Sequence, residues 1–152
     1  MKVLITGGCG FLGSNLAAEF IRKNYEIFII DSLEREGSFD NLNWLNSLAK
    51  KNQLTFLKAD ICNQEIISKF FKKSPQFDFI CHVAGQVAMT KSIIDPRKDF
   101  ETNLLGTFNI LESARIFSPK AFIAYSSTNK VYGDLNALEI IETAKRYKLK
   151  LI

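Results

Sequence analysis

The chain has 152 residues, 47% of them hydrophobic, and a formal net charge of +4. That length holds one domain with a proper core and excludes two. The basic residues are dispersed except for Lys145, Arg146, Lys148 and Lys150, a cluster that reads as a solvated face and argues against a nucleic-acid partner.

Residues 2–6, Lys-Val-Leu-Ile-Thr, have strand composition and stop at a glycine cluster that leads into a helical pattern over 11–23. Gly7, Gly10 and Gly13 are spaced Gly-x-x-Gly-x-x-Gly, and Gly8, Gly10 and Gly13 also satisfy Gly-x-Gly-x-x-Gly. In a strand–turn–helix context such glycines divide three tasks: a sharp turn, close approach of the backbone to a pyrophosphate, and close packing of helix on strand. The helix dipole and free N–H groups would face the anion. A glycine triplet alone is weak evidence, so its context has to carry the reading. Cys9 within this turn has two readings, a thiol activated by the helix N-terminus or a filler of a permissive loop position, and the second is preferred.

Phe11, Leu12, Leu16, Ala17, Phe20 and Ile21 recur at helical spacing and predict one stripe against a sheet. A second strand over 26–30 ends at Asp31, about 20 residues beyond the glycine turn, where a carboxylate would accept hydrogen bonds from an adenosine ribose. Asp31 favours NAD over NADP, with Arg35 close enough to leave the phosphorylated cofactor open. Residues 31–40 read as a loop and 41–51 as a helix whose Trp44 is a packing residue. A third strand over 54–58 precedes Ala59-Asp60-Ile61. Asp60 can serve an adenine, cap the helix predicted over 63–73, or do both.

The apolar run 77–83 predicts a central parallel strand ending at Ala84-Gly85-Gln86, with His82, the only histidine, in the core rather than in catalysis. Pro96 opens a long helix to Phe117, with Phe100, Leu104, Leu105, Phe108, Ile110, Leu111 and Ala114 on its apolar side. Asn103 and Gly106 interrupt that face and imply a packing or site role. A fifth strand over 120–125 runs into Ser126-Ser127-Thr128.

Strands alternating with helices predict an α/β, three-layer, doubly wound parallel sheet of Rossmann type. Ligands bind beyond the carboxyl ends of such strands, where Gly7 to Gly13, Asp31, Asp60, Ala84-Gly85 and Ser126 to Thr128 all fall. A dinucleotide site is therefore expected. Cys9, Cys62 and Cys81 have no metal-ligand spacing, so no metal is expected and a reducing compartment is. No signal peptide precedes the first strand and no apolar run reaches the roughly 18 residues of a membrane span, so a cytoplasmic protein without a membrane partner is expected.

Several motifs together resemble the extended short-chain dehydrogenase/reductase family, the NAD-dependent nucleotide-sugar epimerases and dehydratases. They are Ile5-Thr6-Gly7-Gly8-Cys9-Gly10-Phe11-Leu12-Gly13, Asp31, Asp60-Ile61, His82-Val83-Ala84-Gly85, Asn103-Leu104-Leu105-Gly106-Thr107 and Ser126 through Gly133. The resemblance runs from residue 1 to about 134. Residues 35–38 with 41–45, 85–90 and 127–134 are more narrowly similar to a branch that inverts C2 of a CDP-linked sugar. The resemblance implies bound NAD held by Gly7, Gly10, Phe11, Leu12, Gly13, Asp31, Asp60, Ile61, Val83, Ala84, Gly85, Gln86, Asn103 and Ser126. It further implies transient hydride transfer from a nucleotide sugar, with Thr128 at the hydroxyl position that meets the sugar oxygen. A UDP-sugar 4-epimerase, a dTDP-sugar 4,6-dehydratase and a non-catalytic, truncated NAD-binding domain stay open as alternatives.

The family's base is a Tyr-x-x-x-Lys pair, in which the lysine lowers the tyrosine pKa. None of Tyr25, Tyr125, Tyr132 or Tyr147 has a lysine four residues later. Residues 137–152 resemble the end of that catalytic helix running into a sixth strand, as though joined across a deletion. The expectation is one NAD-binding domain over 1–152, incomplete at its C-terminal side and without a substrate domain. A poorly covered sheet edge and the 96–117 helix, which contributes to dimerisation in the family, make a homo-oligomer expected.

Overall fold

The computed structural model describes residues 1–128 and 138–150. The expected motif residues 129–134 and Asn136 lie outside the described residues.

Five parallel strands form the sheet, β1 (Lys2–Thr6), β2 (Glu26–Asp31), β3 (Leu54–Lys58), β4 (Phe79–His82) and β5 (Phe122–Tyr125), in the order β3-β2-β1-β4-β5. β1 is central, with Leu4 opposite Phe28 on one side and Ile80 on the other. The chain winds outward from β1 to β3, then returns to add β4 and β5, so the sheet reverses direction beside β1. The expected doubly wound sheet is present.

Alternation along the strands divides the core between two faces. Val3, Ile5, Ile27, Ile29 and Cys81 face α1 (Phe11–Arg22) and α2 (Ser38–Leu48), meeting Ala17, Ala18, Ile21, Leu42 and Leu45. Leu4, Phe28, Ile30 and Ile80 face α3 (Gln64–Lys73) and the helix near the chain's middle, meeting Ile67, Phe71, Phe77, Ile110 and Ala114. Both faces of the central strands are dry, which explains their continuous apolar runs.

Several boundaries and faces differ from expectation. α2 begins at Ser38 rather than 41, because Gly37 at φ +79° supplies the left-handed turn that opens it. Asn63, not Asp60, caps α3, its side chain accepting the Ile66 N–H at 3.1 Å. Asp60 instead folds onto its own loop, accepting the Cys62 N–H at 2.9 Å. Phe11 and Leu12 leave the predicted stripe and stand exposed at the opening turn of α1; Gly13 and Ser14 are buried there instead.

The 96–117 helix is continuous but not uniform. α4 (Met89–Ile94) precedes it, and it consists of α5 (Pro96–Phe100), a π-helical turn over Glu101–Gly106 and α6 (Thr107–Phe117). Gly106, Asn109, Ile110, Ser113 and Ala114 face the sheet, whereas Phe100, Leu104, Leu105, Phe108 and Leu111 are exposed. A Cβ on Gly106 would lie 2.6 Å from the Ile61 side chain, so glycine lets the π turn settle on the β3 end. Asn109 Nδ2 adds a 3.0 Å bond to the Ile61 carbonyl. Small and polar residues flank Ile110 in this contact, and the other large apolar residues form a second face.

Residues 138–150 form neither a helix nor a strand of the main sheet. β6 (Ile140–Glu142) pairs antiparallel with β7 (Tyr147–Leu149), Ile140 opposite Leu149. β-branched Ile140-Ile141 and the alternating Tyr147-Lys148-Leu149 suit a strand, and Thr143 closes the turn through the Arg146 backbone. Among the described residues β5 is therefore an edge strand, paired only with β4.

Candidate functional site: the crevice at the carboxyl ends of the strands

Gly7 ends β1 at φ +70°, and its N–H donates to the Ile30 carbonyl at 2.8 Å, tying the turn to β2. A Cβ there would lie 2.8 Å from the Ala84 backbone, so only glycine lets the turn touch the end of β4. Gly13 packs α1 onto the same turn: its Cβ would collide with the Gly7 carbonyl oxygen and come within 2.7 Å of the Gly8 Cα. Gly10 faces outward, with the Gly7 oxygen at 3.3 Å the single near atom. Gly7 thus makes the turn, Gly10 has an open side and Gly13 makes the helix contact.

Gly10 is the N-cap of α1 and no side chain caps it. The N–H groups of Phe11, Leu12 and Gly13 open the helix, where backbone donors have no intrahelical acceptors. Phe11 is 85% exposed over this end.

Asp31 is fixed beside the turn. Its Oδ2 accepts the Cys9 N–H and its Oδ1 the Leu33 N–H, both at 2.9 Å, which leaves a second acceptor position on each oxygen. Leu33 takes a left-handed φ of +59° in this short turn. Cys9 is buried, and burial followed by the Asp31 charge pushes its thiol up to about 12. A buried thiol beside a carboxylate fits the reading of Cys9 as a filler of the loop position.

Asp60 lies at the end of β3. Burial acts to raise its pKa, but bonds from Cys62 and Lys98 outweigh it and hold the carboxyl below its ordinary value. Lys98 Nζ reaches Asp60 Oδ2 at 3.3 Å, joining α5 to this strand end. Ile61 is spent on the core against Gly106, and its carbonyl accepts from Asn109 Nδ2. Val83 packs partly into the core. Beyond it, Asn103 Oδ1 accepts the Gln86 N–H at 2.8 Å and lies 3.1 Å from where a Gly85 Cβ would be. Ser126 follows β5, its N–H bonded to the His82 carbonyl at 3.1 Å, and Thr128 follows two residues later, exposed.

Residue-by-residue reading missed three features. A cleft of about 460 Å³ on the outer side of the glycine turn is lined by Cys9, Phe11, Ser14, Arg35, Asn41 and Trp44. Trp44 is 38% exposed there rather than packed away. Asn41 braces the turn, Nδ2 donating to the Cys9 carbonyl at 2.9 Å, a role its place four residues after Gly37 could have suggested. Buried His82 binds Thr6 and Thr107, which no local pattern announces.

Among the described residues no helix is long and apolar enough to cross a membrane, and no cluster of ligating side chains could hold a metal ion.

A CDP-paratose 2-epimerase from Salmonella typhi is 48% identical over 147 residues, covering 97% of this chain and 42% of that protein. A UDP-glucose 4-epimerase from Bacillus subtilis (strain 168) is 34% identical over 133 residues, 88% of this chain and 38% of that one. The solved structure of a Thermus thermophilus UDP-glucose 4-epimerase complexed with NAD superposes with a TM-score of 0.65 at 32% identity, covering 77% of this chain and 34% of that one. The chain spans about two fifths of the length of these curated relatives. Residues 4–148 match the family model described as GDP-mannose 4,6 dehydratase, and the chain belongs to that family of epimerases and dehydratases.

Proposed function

We propose that this chain is the NAD-binding portion of a nucleotide-sugar epimerase acting on a CDP-linked sugar, as the 48%-identical CDP-paratose 2-epimerase does. The observation that carries the cofactor reading is the uncapped N-terminus of α1 beneath the Gly7–Gly13 turn, with Asp31 pinned beside it. In this reading the Phe11, Leu12 and Gly13 amides take the pyrophosphate and the open side of Gly10 admits it. Asp31's remaining acceptors take the adenosine ribose hydroxyls, and Asp60 and the Ile61 backbone border the adenine. Val83 to Gln86, Asn103 and Ser126 border the other half of the dinucleotide.

NAD, when bound, would supply a reversible hydride acceptor. The protein's part is to orient the sugar carbon and move the hydroxyl proton, and Thr128 is the described residue proposed to hydrogen-bond the sugar oxygen. The proton acceptor is missing from that set, since no tyrosine in the sequence precedes a lysine by four positions. That favours a second reading in which this chain alone binds NAD without turning over a sugar.

Titrating the chain with NAD by calorimetry, then adding CDP-paratose and assaying C2 inversion, separates the readings. Binding without inversion is expected. No binding at millimolar NAD would sink the cofactor assignment, and inversion would show that the proton acceptor is supplied by another group. Asp31→Ala is expected to weaken NAD by about tenfold or more, because a carboxylate hydrogen bond is worth about 1.5–3 kcal/mol. Unchanged affinity in that variant would remove Asp31 from the site.

Self-association is also proposed. Leu104, Leu105, Phe108 and Leu111 form one exposed apolar stretch across the π turn and α6, with Phe100 a turn earlier. Dimers are expected by light scattering at high concentration, and Phe108→Glu should shift them to monomer. A wild-type chain that stays monomeric would count against this face.

A further inference from the structure

We propose that His82 is a positioning residue: as the Nε2–H tautomer it forms the centre of a hydrogen-bond relay of fixed polarity that holds residues 84–86 at the crevice. Hydroxyl chemistry sets the direction. Thr107 Oγ1 donates to the Asn103 carbonyl at 2.7 Å, and a carbonyl can only accept, so the Thr107 proton is spent there. The 2.9 Å contact between Thr107 Oγ1 and His82 Nε2 then requires the proton on Nε2. A neutral imidazole has one N–H, so Nδ1 accepts, and the Thr6 hydroxyl donates to it at 2.6 Å. Thr6 Oγ1 in turn accepts the Ala84 N–H at 3.4 Å.

His82 has no solvent exposure and its ring stacks on Tyr125, centroids 5.4 Å apart. Burial pushes its pKa down to about 4, which keeps it neutral as the polarity requires. The relay thus runs from Ala84 N–H through Thr6, His82 and Thr107 to the Asn103 carbonyl. Asn103 closes the arrangement, its side chain holding Gln86 through both the N–H, at 2.8 Å, and the carbonyl, at 3.3 Å. Asn103 and Thr107 are four residues apart across the π turn, so one helical site clamps both ends of the 84–86 segment. Any effect on NAD rests on the cofactor reading above; the relay itself does not.

Long-range ¹H–¹⁵N NMR of the wild-type chain at pH 7 reads the tautomer directly, and Nε2–H is expected. Amide hydrogen exchange then compares the wild type with Thr107→Val, which keeps the shape but removes the hydroxyl, and with Thr107→Ser, which restores it. In Thr107→Val, His82 and Asn103 lose the hydroxyl that fixes them, so exchange at Ala84 and Gln86, whose acceptors they position, should accelerate by about tenfold, the scale of one buried hydrogen bond, while the Leu4 and Ile80 amides keep their protection. Thr107→Ser should return both amides to wild-type rates. A Nδ1–H tautomer, an unchanged Gln86 amide in Thr107→Val, or an equal loss of protection throughout β1 and β4 would overturn the relay. NAD affinity measured on the same samples should fall in Thr107→Val and recover in Thr107→Ser. If the wild type itself takes no NAD, the cofactor reading fails while the tautomer and exchange results still decide the relay.

Discussion

Gly13→Ala is expected to destabilise the fold by about 3 kcal/mol or more, or to prevent folding, making it more damaging than alanine at Gly10. The new methyl would enter the Gly7 carbonyl oxygen and lie 2.7 Å from the Gly8 Cα and 2.8 Å from the Gly7 carbonyl carbon. All three are backbone atoms of a turn anchored to β2 by the Gly7 N–H, so none can swing aside as a side chain would. Alanine's better helix propensity returns only about 1 kcal/mol, and the clash wins. At Gly10 the methyl meets one oxygen at 3.3 Å and faces the crevice, so folding should survive while the approach of a pyrophosphate is blocked. Thermal unfolding and NAD titration of the two variants together test this, with stability lost in the first and affinity alone lost in the second. A Gly13→Ala chain melting with the wild type would refute the packing argument.

That contrast shows what a pattern of residues can announce. Glycine spacing, strand periodicity and the Asp31 position are local and repeat at fixed intervals, so β1 through β5 and their order of appearance could be read directly. The 96–117 helix could be found but not oriented. Its expected apolar side runs over Phe100, Leu104, Leu105, Phe108, Ile110, Leu111 and Ala114, which is wider than one contact with the sheet can cover. Of the residues expected on its apolar side the sheet takes Ile110 and Ala114, joined by Gly106, whose lack of a side chain permits the close approach to Ile61, while Leu104, Phe108 and Leu111 stay exposed. The π turn escapes for a related reason, since one extra residue per turn alters helical phase without altering composition. Trp44 reads as core because tryptophan is usually buried, yet its place beside Arg35 and Asn41 follows from how α2 leaves Gly37. Of the two roles open to Asp60, the cap goes to Asn63 three residues on, because the Asp60 carboxylate turns back onto the Cys62 N–H.

His82 supplies the second large expected effect, a loss of stability between pH 6.5 and pH 4. The unfolded chain binds a proton at this residue below its ordinary value of 6.5, whereas burial delays protonation in the folded state to about 4. Between those values the unfolded state holds more protons, so stability falls as pH falls, by about 2 kcal/mol at pH 5 and about 3 kcal/mol near pH 4. This is the sole histidine in the sequence. Among the described residues the carboxyls held low are Asp60 and Glu112, whose ordinary values of 3.8 and 4.5 lie below pH 5, so the decline above pH 5 comes chiefly from the imidazole. Urea unfolding at pH 7 and pH 5 should show the decline in the wild type. In His82→Gln, which keeps an amide near Thr107, stability at pH 7 should be lower but nearly flat across the same interval. Equal wild-type stability at the two pH values would mean that the ring gains a proton as readily folded as unfolded, and the buried, neutral centre of the Thr6–His82–Thr107 network would have to be abandoned.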